Sequence, residues 1–409
     1  MAAIKPILRR AGTILLWTVI ALCLAATVIP YFLDRIYYRG PLSAHFDGQR
    51  FFNPEGSVPF DLPPGSRVSI LSRAILGDPA RPVWPDYVAV TPSKPPALLA
   101  GESMVATWIG HATLLVQADG VNILTDPVWS RTAGPFGIGP ARVAEPGVRF
   151  EDLPHIDIVL VSHDHYDHMD LATLKRLWDR DHPLIVTSLG NDAILRSAGI
   201  EAKALDWGGS IGLPRRDYGA ESMECAEPVI WCHTPAIVHV TRNHHWGSRW
   251  FTDRNRALWS SFVVQLPHGN FFFAGDTGIG DGKWPAEAAA LGPIRLAAIP
   301  VGAFRFTEGQ MGSDSHIGPW DAIRVWDGLG RPQAIPIHWG TFRLSWEGYR
   351  TPVRLLDAML RCAGEDPARF KGVAIGQPVS VAPLGGVPGA PDMKGVEACN
   401  KAGKFDALR

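Results

Sequence analysis

A surplus of basic side chains is missing from this 409-residue chain: 39 Lys and Arg stand against 40 Asp and Glu, a formal net charge of −1, and only 19% of residues are charged. That balance gives a polyanion no bulk electrostatic footing, so nucleic acid is excluded as a partner. Charge is too sparse and the 46% hydrophobic content too high for a chain that stays disordered. Cysteine is scarce. Cys23 lies in an apolar run, and Cys225, Cys232, Cys362 and Cys399 show no CxxC spacing, which argues against a disulfide framework and leaves a single Cys225–Cys232 bridge across a hairpin as the pairing to expect in an oxidising compartment. No internal repeat of short period is present. Trp and Pro, by contrast, are abundant at 15 and 35 residues. They point to a loop-rich fold with aromatic-lined surfaces rather than a helical bundle.

Residues 11–33 carry no charge, and Lys5, Arg9 and Arg10 precede them. A helix over that run crosses a hydrocarbon core of ~30 Å, whereas the apolar part of a signal peptide is about 7–15 residues long. Residues 1–33 are therefore read as a membrane anchor in preference to a cleaved signal, with Tyr31 and Phe32 at the interface. Basic residues before the run place the globular part on the non-cytoplasmic side, an asymmetry that Arg35 and Arg39 weaken. Residues 34–100, rich in Pro and Gly, read as an extended segment laid over the core. A domain over 101–384 follows, opening with β-runs at 104–108, 113–118 and 121–125, the last two joined by the hairpin signal Asp119-Gly120. Further strands are expected at 156–162, 184–187, 229–232, 262–265, 271–274, 296–300 and 334–337. Helices are expected at 171–178, 285–291, 319–326 and 353–360, outside the sheets. Residues 385–409 read as a loose C-terminal tail.

The chemistry concentrates in His163-Asp164-His165-Tyr166-Asp167-His168, four good ligands in six residues directly after a buried strand. Alternation sends His163 and His165 the same way, and the following turn can aim Asp167 and His168 at a second point, which suits two metal ions. Imidazoles with a carboxylate are the ligands zinc takes at an open catalytic site. Asp276 ends a second apolar strand between Gly275 and Gly278, where small neighbours permit a sharp turn and close approach of a metal. His338 ends a third.

This pattern resembles the metallo-β-lactamase superfamily, an αββα sandwich with metals at one sheet edge. In order along residues 46–380, GQRFFNP (48–54), TWIGHAT (107–113), LTDP (124–127), SHDHYDHMD (162–170), DRNRALW (253–259), FFFAGDTG (271–278), IPVGAF (299–304) and IHWGTF (337–342) are similar to the N-acylphosphatidylethanolamine-hydrolysing phospholipase D family. The resemblance implies two Zn2+ ions, other divalent transition metals being able to substitute. His163, His165 and a third His would hold one ion, Asp167, His168 and His338 the other, with Asp276 bridging. His245 is chosen as the third because its distance to DRNRALW matches the family, while His239 and His244 stay open. Asp167, Asp276 and His316 are the catalytic candidates. His316 occupies a family position that faces substrate, so it is a candidate for headgroup binding or proton donation, and His111 for support or lining of the site.

The reaction so implied is phospholipase D-type hydrolysis of an N-acylphosphatidylethanolamine-like lipid or another small phosphodiester, by a hydroxide bridging the metals. Within the same fold, hydrolysis of a soluble ester or lactone is the alternative. A membrane-anchored binding module is the non-enzymatic one, and it sits badly with a complete ligand set. Membrane contact through the N-terminal helix is expected, and a homodimer is compatible with the sequence.

Overall fold

At Asp119-Gly120 both residues take positive φ, 51° and 75°. That is the mirror-image turn whose twist matches paired strands, and it joins β2 (Thr113–Ala118) to β3 (Val121–Thr125) in register, with Leu115 opposite Leu124. The structure, a computed structural model, describes residues 4–32, 35–56, 81–214, 235–250, 252–306, 310–385 and 390–408. β1 (Met104–Gly110) pairs antiparallel with β2, and β4 (Ile158–Val161), β5 (Leu184–Ser188) and β6 (Lys203–Leu205) extend the sheet in parallel from β3. A second sheet contains β7 (Ser210–Gly212), β8 (Ile237–Thr241), β9 (Ser261–Gln265), β10 (Asn270–Phe273), β11 (Ile294–Pro300) and β12 (Gln333–Ile337). β13 (Pro378–Val381) returns to the first sheet and pairs antiparallel with β1.

Strand periodicity decides which side chains face which layer. Leu114, Val116, Ile123, Ile158 and Leu160 join Val238, Val240 and Phe262 in the core between the sheets. Leu115, Leu124, Val159 and Val161 turn outward onto Leu174 and Leu177 of α2 (Leu171–Asp181) and Ile194 and Leu195 of α3 (Asn191–Ser197). Asp170 starts α2 by accepting from the backbone N–H groups of Ala172 and Thr173. The second sheet is flanked by α4 (Trp284–Ala289), α5 (Pro319–Gly328) and α6 (Thr351–Cys362), whose Trp284, Trp326 and Leu355 are fully buried. The result is the αββα sandwich. Strands β6, β7 and β8, helix α3 and strand β13 have no counterpart in the sequence reading. The strand expected at 229–232 and the Cys225–Cys232 pair lie outside the described residues.

The C-terminal region departs from expectation. Instead of a loose tail over 385–409, α7 (Met393–Lys401) packs on α6, with Val396 and Phe405 buried, and Cys399 forms a disulfide with Cys362. Apolar residues at helical spacing, obscured by the Gly- and Pro-rich stretch before them, give this region a face to bury. The sequence reading did not anticipate the Cys362–Cys399 bond; the expected Cys225–Cys232 pair involves other cysteines and is not tested by it.

At the other end, α1 (Ile4–Phe32) contains a segment, Arg9–Ala26, long and apolar enough by length and composition to cross a membrane. The segment after it runs over the domain. Phe46 and Phe51 are buried against Leu258 and Trp259, and Val88 and Ser93 form bridges to Ala144 and Val148.

Candidate metal centre

The ends of β1, β3, β4, β8, β10 and β12 meet at one edge of the sandwich, because all six strands run toward it. After β4 the backbone leaves the sheet in a tight turn, with the Met169 N–H donating to the His165 carbonyl at 2.8 Å. This turn sends the side chains of the loop to two different points. His163 Nε2 and His165 Nδ1 come within 2.7 Å of each other, with His245 in the same group. Asp167 and His168 turn instead toward His338 and His111. Asp276 stands between, its Oδ2 lying 3.1 Å from His168 Nε2 and 3.0 Å from His338 Nε2 while it also groups with His245 and His316. Gly275, at φ 62°, makes the approach possible: a Cβ there would sit 2.7 Å from the Ser162 Cβ.

The hydrogen bonds around the rings fix their tautomers. Carbonyl oxygens only accept, so His245 Nδ1 donates to the Ser315 carbonyl at 2.8 Å and His338 Nδ1 to the Gly302 carbonyl at 3.2 Å. His245 is left with a buried Nε2 that has no protein hydrogen-bond partner, whereas His338 Nε2 faces Asp276. His168 Nδ1 donates to Asp126 Oδ2 at 2.6 Å, and its Nε2 also faces Asp276. Ser162 Oγ donates to the same carboxylate at 2.6 Å and therefore accepts from His163 Nδ1 at 2.9 Å. One buried carboxylate thus orients His168 directly and His163 through a hydroxyl, the arrangement that supports metal-binding histidines. Asp276 Oδ1 is also buried without a partner. Buried imidazole nitrogens converging beside two carboxylates are repulsive, orphaned or balanced only by protons until a metal cation lies among them, so the donor set fits two metal ions.

The electrostatics differ between the two groups of histidines. Burial holds His163 far below its ordinary pKa and His165 and His245 at about 3, so these three are neutral, as ligation requires. Burial opposes ionisation of Asp167 and Asp276 too, but His168 beside them outweighs it and both stay well below the carboxylate range. Burial also disfavours charge on His338 and His168, yet Asp276 and Asp167 raise His338 to about 9 and His168 well above its ordinary value, so a proton on each Nε2 faces the carboxylates and a metal ion there would have to displace it.

Of the three histidines left open for the third position, the structure brings His245 to His163 and His165. His239 lies on β8 against Gln265, Nε2 to Oε1 3.2 Å. His244 is buried between Glu55 and Asp314, at 2.6 and 3.2 Å. The N-terminal segment helps hold this turn, since Asn53 Nδ2 donates to the His245 carbonyl at 3.0 Å. His111, at φ 54° just past β1, places Nε2 3.0 Å from Asp167 Oδ2. His316 Nδ1 lies 3.7 Å from Asp276 Oδ2, and its side chain is 12% exposed. Asp126 and Ser162 are the supporting residues that the sequence reading did not assign. The motif LTDP contained Asp126, but only proximity to Ser162 and His168 reveals what it does.

The β-lactamase superfamily domain matches residues 121–339. The N-acyl-phosphatidylethanolamine-hydrolyzing phospholipase D 1 of Caenorhabditis elegans is 35% identical over 255 residues, which are 60% of this chain and 66% of the worm protein. An uncharacterised protein of Mycobacterium tuberculosis is 33% identical over 300 residues, 71% of each chain. Among solved structures, a metallo hydrolase from the archaeon Ignicoccus hospitalis aligns over 68% of this chain and 99% of its own, with TM-score 0.49 and 18% identity.

Proposed function

The chain belongs to the metallo-β-lactamase superfamily, and on that premise we propose that it is a dinuclear zinc hydrolase, a phospholipase D-type phosphodiesterase acting on N-acylphosphatidylethanolamine-like lipids. The observation that carries the metal reading is the pair of converging donor sets, His163, His165 and His245 on one side and Asp167, His168 and His338 on the other, with Asp276 between. Two zinc ions in these sets would withdraw charge from phosphodiester oxygens and make water a nucleophile near neutral pH. Asp126 and Ser162 keep the ligand tautomers. His111 holds the Asp167 carboxylate. His316, kept at about 3 by burial, is a neutral imidazole able to hydrogen-bond a phosphodiester oxygen or the leaving alcohol.

The lipid class rests on the similarity to the worm enzyme and on α1, which we read as an anchor that keeps the site beside its substrate. The Cys362–Cys399 disulfide supports a catalytic domain on the non-cytoplasmic side, because such bonds persist in oxidising compartments. The test is turnover of N-acylphosphatidylethanolamine, phosphatidylcholine, a lactone and a β-lactam by the full chain loaded with zinc. Phosphatidic acid and an N-acylethanolamine are the expected products, with heavy-water oxygen in the phosphate because water attacks phosphorus. Label in the released alcohol would mean carbon–oxygen cleavage, and lactone opening without phospholipid turnover would overturn the substrate class.

A further inference from the structure

Two residues separate the end of α1 at Phe32 from Arg35, three steps along the chain and a reach of roughly 10 Å at most. The chain is pinned as soon as it emerges. The Arg35 guanidinium lies 4.8 Å from the Trp250 ring centroid, and the Tyr37 hydroxyl donates to Asp253 Oδ2 at 2.8 Å. Trp250 belongs to a turn built on the metal-binding loop, since Arg249 Nη1 donates to the Asp164 carbonyl at 2.9 Å and Tyr166 Oη to the Arg249 carbonyl at 2.9 Å. Whatever surface α1 enters therefore lies close to the mouth of the metal centre.

On the same rim, residues 133–140 form a loop closed by the Thr132–Ala141 bridge. At its tip Phe136 is 88% exposed and Ile138 74%, and the Phe136 ring stands edge-on to Trp250 at 6.2 Å. Phe136 takes φ 54°, a left-handed conformation that is costly for a bulky side chain and here turns the ring outward. The base of the loop is firm: buried Arg142 donates to the Val128 carbonyl at 2.8 Å and packs over Phe342, whose ring meets His111 at 5.2 Å. Exposed Arg131 stands just before the loop, and exposed Arg35 lies over Trp250 beside its tip. Apolar and aromatic side chains at the tip with basic ones behind them form a profile suited to the lipid interface, where rings sit among headgroups and guanidinium groups reach phosphates.

We propose that the 133–140 loop is a bilayer-inserting lip: Phe136 and Ile138 enter the lipid beside α1, and with Arg35, Arg131 and Trp250 they seat the mouth of the metal centre against the membrane surface. The proposal rests on reading α1 as an anchor, and it adds which face of the domain meets the lipid. The occupant is a bilayer because the pinned chain leads from the tip to an apolar helix in a few residues, and no second chain is needed to cover it.

The test uses the full chain in phosphatidylcholine–phosphatidylglycerol vesicles with an environment-sensitive dye on cysteine and nitroxide-labelled acyl chains as quencher. One sample carries the dye on native Cys23 within the span. A second carries it at Ile138→Cys in a Cys23→Ser background, and a third at Leu384→Cys in the same background, corrected for dye taken up by that background alone. Leu384 is also an exposed apolar residue, 46%, but it follows β13 at the opposite end of the sheets. Strong quenching at Cys23 and at 138, with little at 384, is expected. Quenching at Cys23 without quenching at 138 overturns the lip and leaves the anchor, and none at Cys23 overturns the anchor itself. If the dye at 138 is quenched only by nitroxide on a second protein chain, the partner is another copy and the proposal fails. The double variant Phe136→Asp, Ile138→Asp gives an independent reading. Its apparent KM for vesicle-embedded lipid should rise on the order of tenfold, with kcat for a detergent-dispersed short-chain phosphodiester unchanged, and equal loss on both substrates would overturn the lip.

Discussion

Asp126→Asn tests the idea that one buried carboxylate sets the ligands of both metal positions. Asp126 accepts three hydrogen bonds: from the Ser162 N–H at 2.7 Å, the Ser162 hydroxyl at 2.6 Å and His168 Nδ1 at 2.6 Å. An Asn of the same shape keeps one acceptor oxygen and presents an NH2 donor in place of the other. If the oxygen stays on the Ser162 N–H, the NH2 faces His168 Nδ1, which becomes an acceptor only if its proton moves to Nε2, the atom that must be bare to ligate. The serine hydroxyl loses its acceptor as well, and with it the fixed orientation of His163. Flipping the amide moves the donor onto the Ser162 N–H and leaves two donors facing each other. Supporting partners of this kind are worth about 10–100-fold in metal affinity, or about 1.4–2.7 kcal/mol, per ligand oriented. A further ~1–3 kcal/mol of fold stability is expected to go with the unpaired buried donor. Zinc titration of the full chain against a competing chelator should show both sites weakened, while Ser162→Ala should weaken chiefly the one containing His163. If Asp126→Asn binds two zinc ions with unchanged affinity while Asp276→Ala loses them, the tautomer argument is wrong.

His245→Ala should abolish metal-dependent turnover, whereas His239→Ala should retain it, and a larger loss at His239 would overturn the assignment. His244→Ala should reduce activity by an intermediate amount, because it unties Asp314 beside Ser315 while leaving the ligand itself in place. Cys362→Ser should lower stability by ~2–4 kcal/mol, from the loss of a cross-link spanning 37 residues, read as an earlier urea midpoint for the full chain. An unchanged midpoint would mean that the bond does not form. A reporter fused at Arg409 should be active only when it requires export, and strong activity of a cytoplasm-only reporter would reverse the orientation.

The ligand-bearing loop was legible because its signal is local. A buried strand followed by His-Asp-His-Tyr-Asp-His carries its own geometry: alternation aligns His163 with His165 and the turn swings His168 away, with no help from distant residues. Asp119-Gly120 was legible for the same reason, since two positive φ angles in a row need few other residues. Asp276 and His338 stood out because each ends an apolar run at a polar residue flanked by glycine. The three-residue strands β6 and β7 were hidden because elements so short have no periodicity of their own and exist only through pairing. The Cys362–Cys399 bond joins two helices whose approach depends on how α7 packs on α6, which spacing does not encode.

Sequence alone determined the chemical inventory and the local order in which ligands leave their strands. The tertiary structure decided everything that depends on residues far apart in the chain meeting at one edge. It brought His245, and neither His239 nor His244, beside His163 and His165, with His245 Nδ1 bonded to the Ser315 carbonyl, and it set Asp126 against His168 across 42 positions. Ring direction and tautomer follow from which acceptor lies behind each imidazole, and those acceptors come from other strands and loops, brought within reach only when the two sheets close on their shared core.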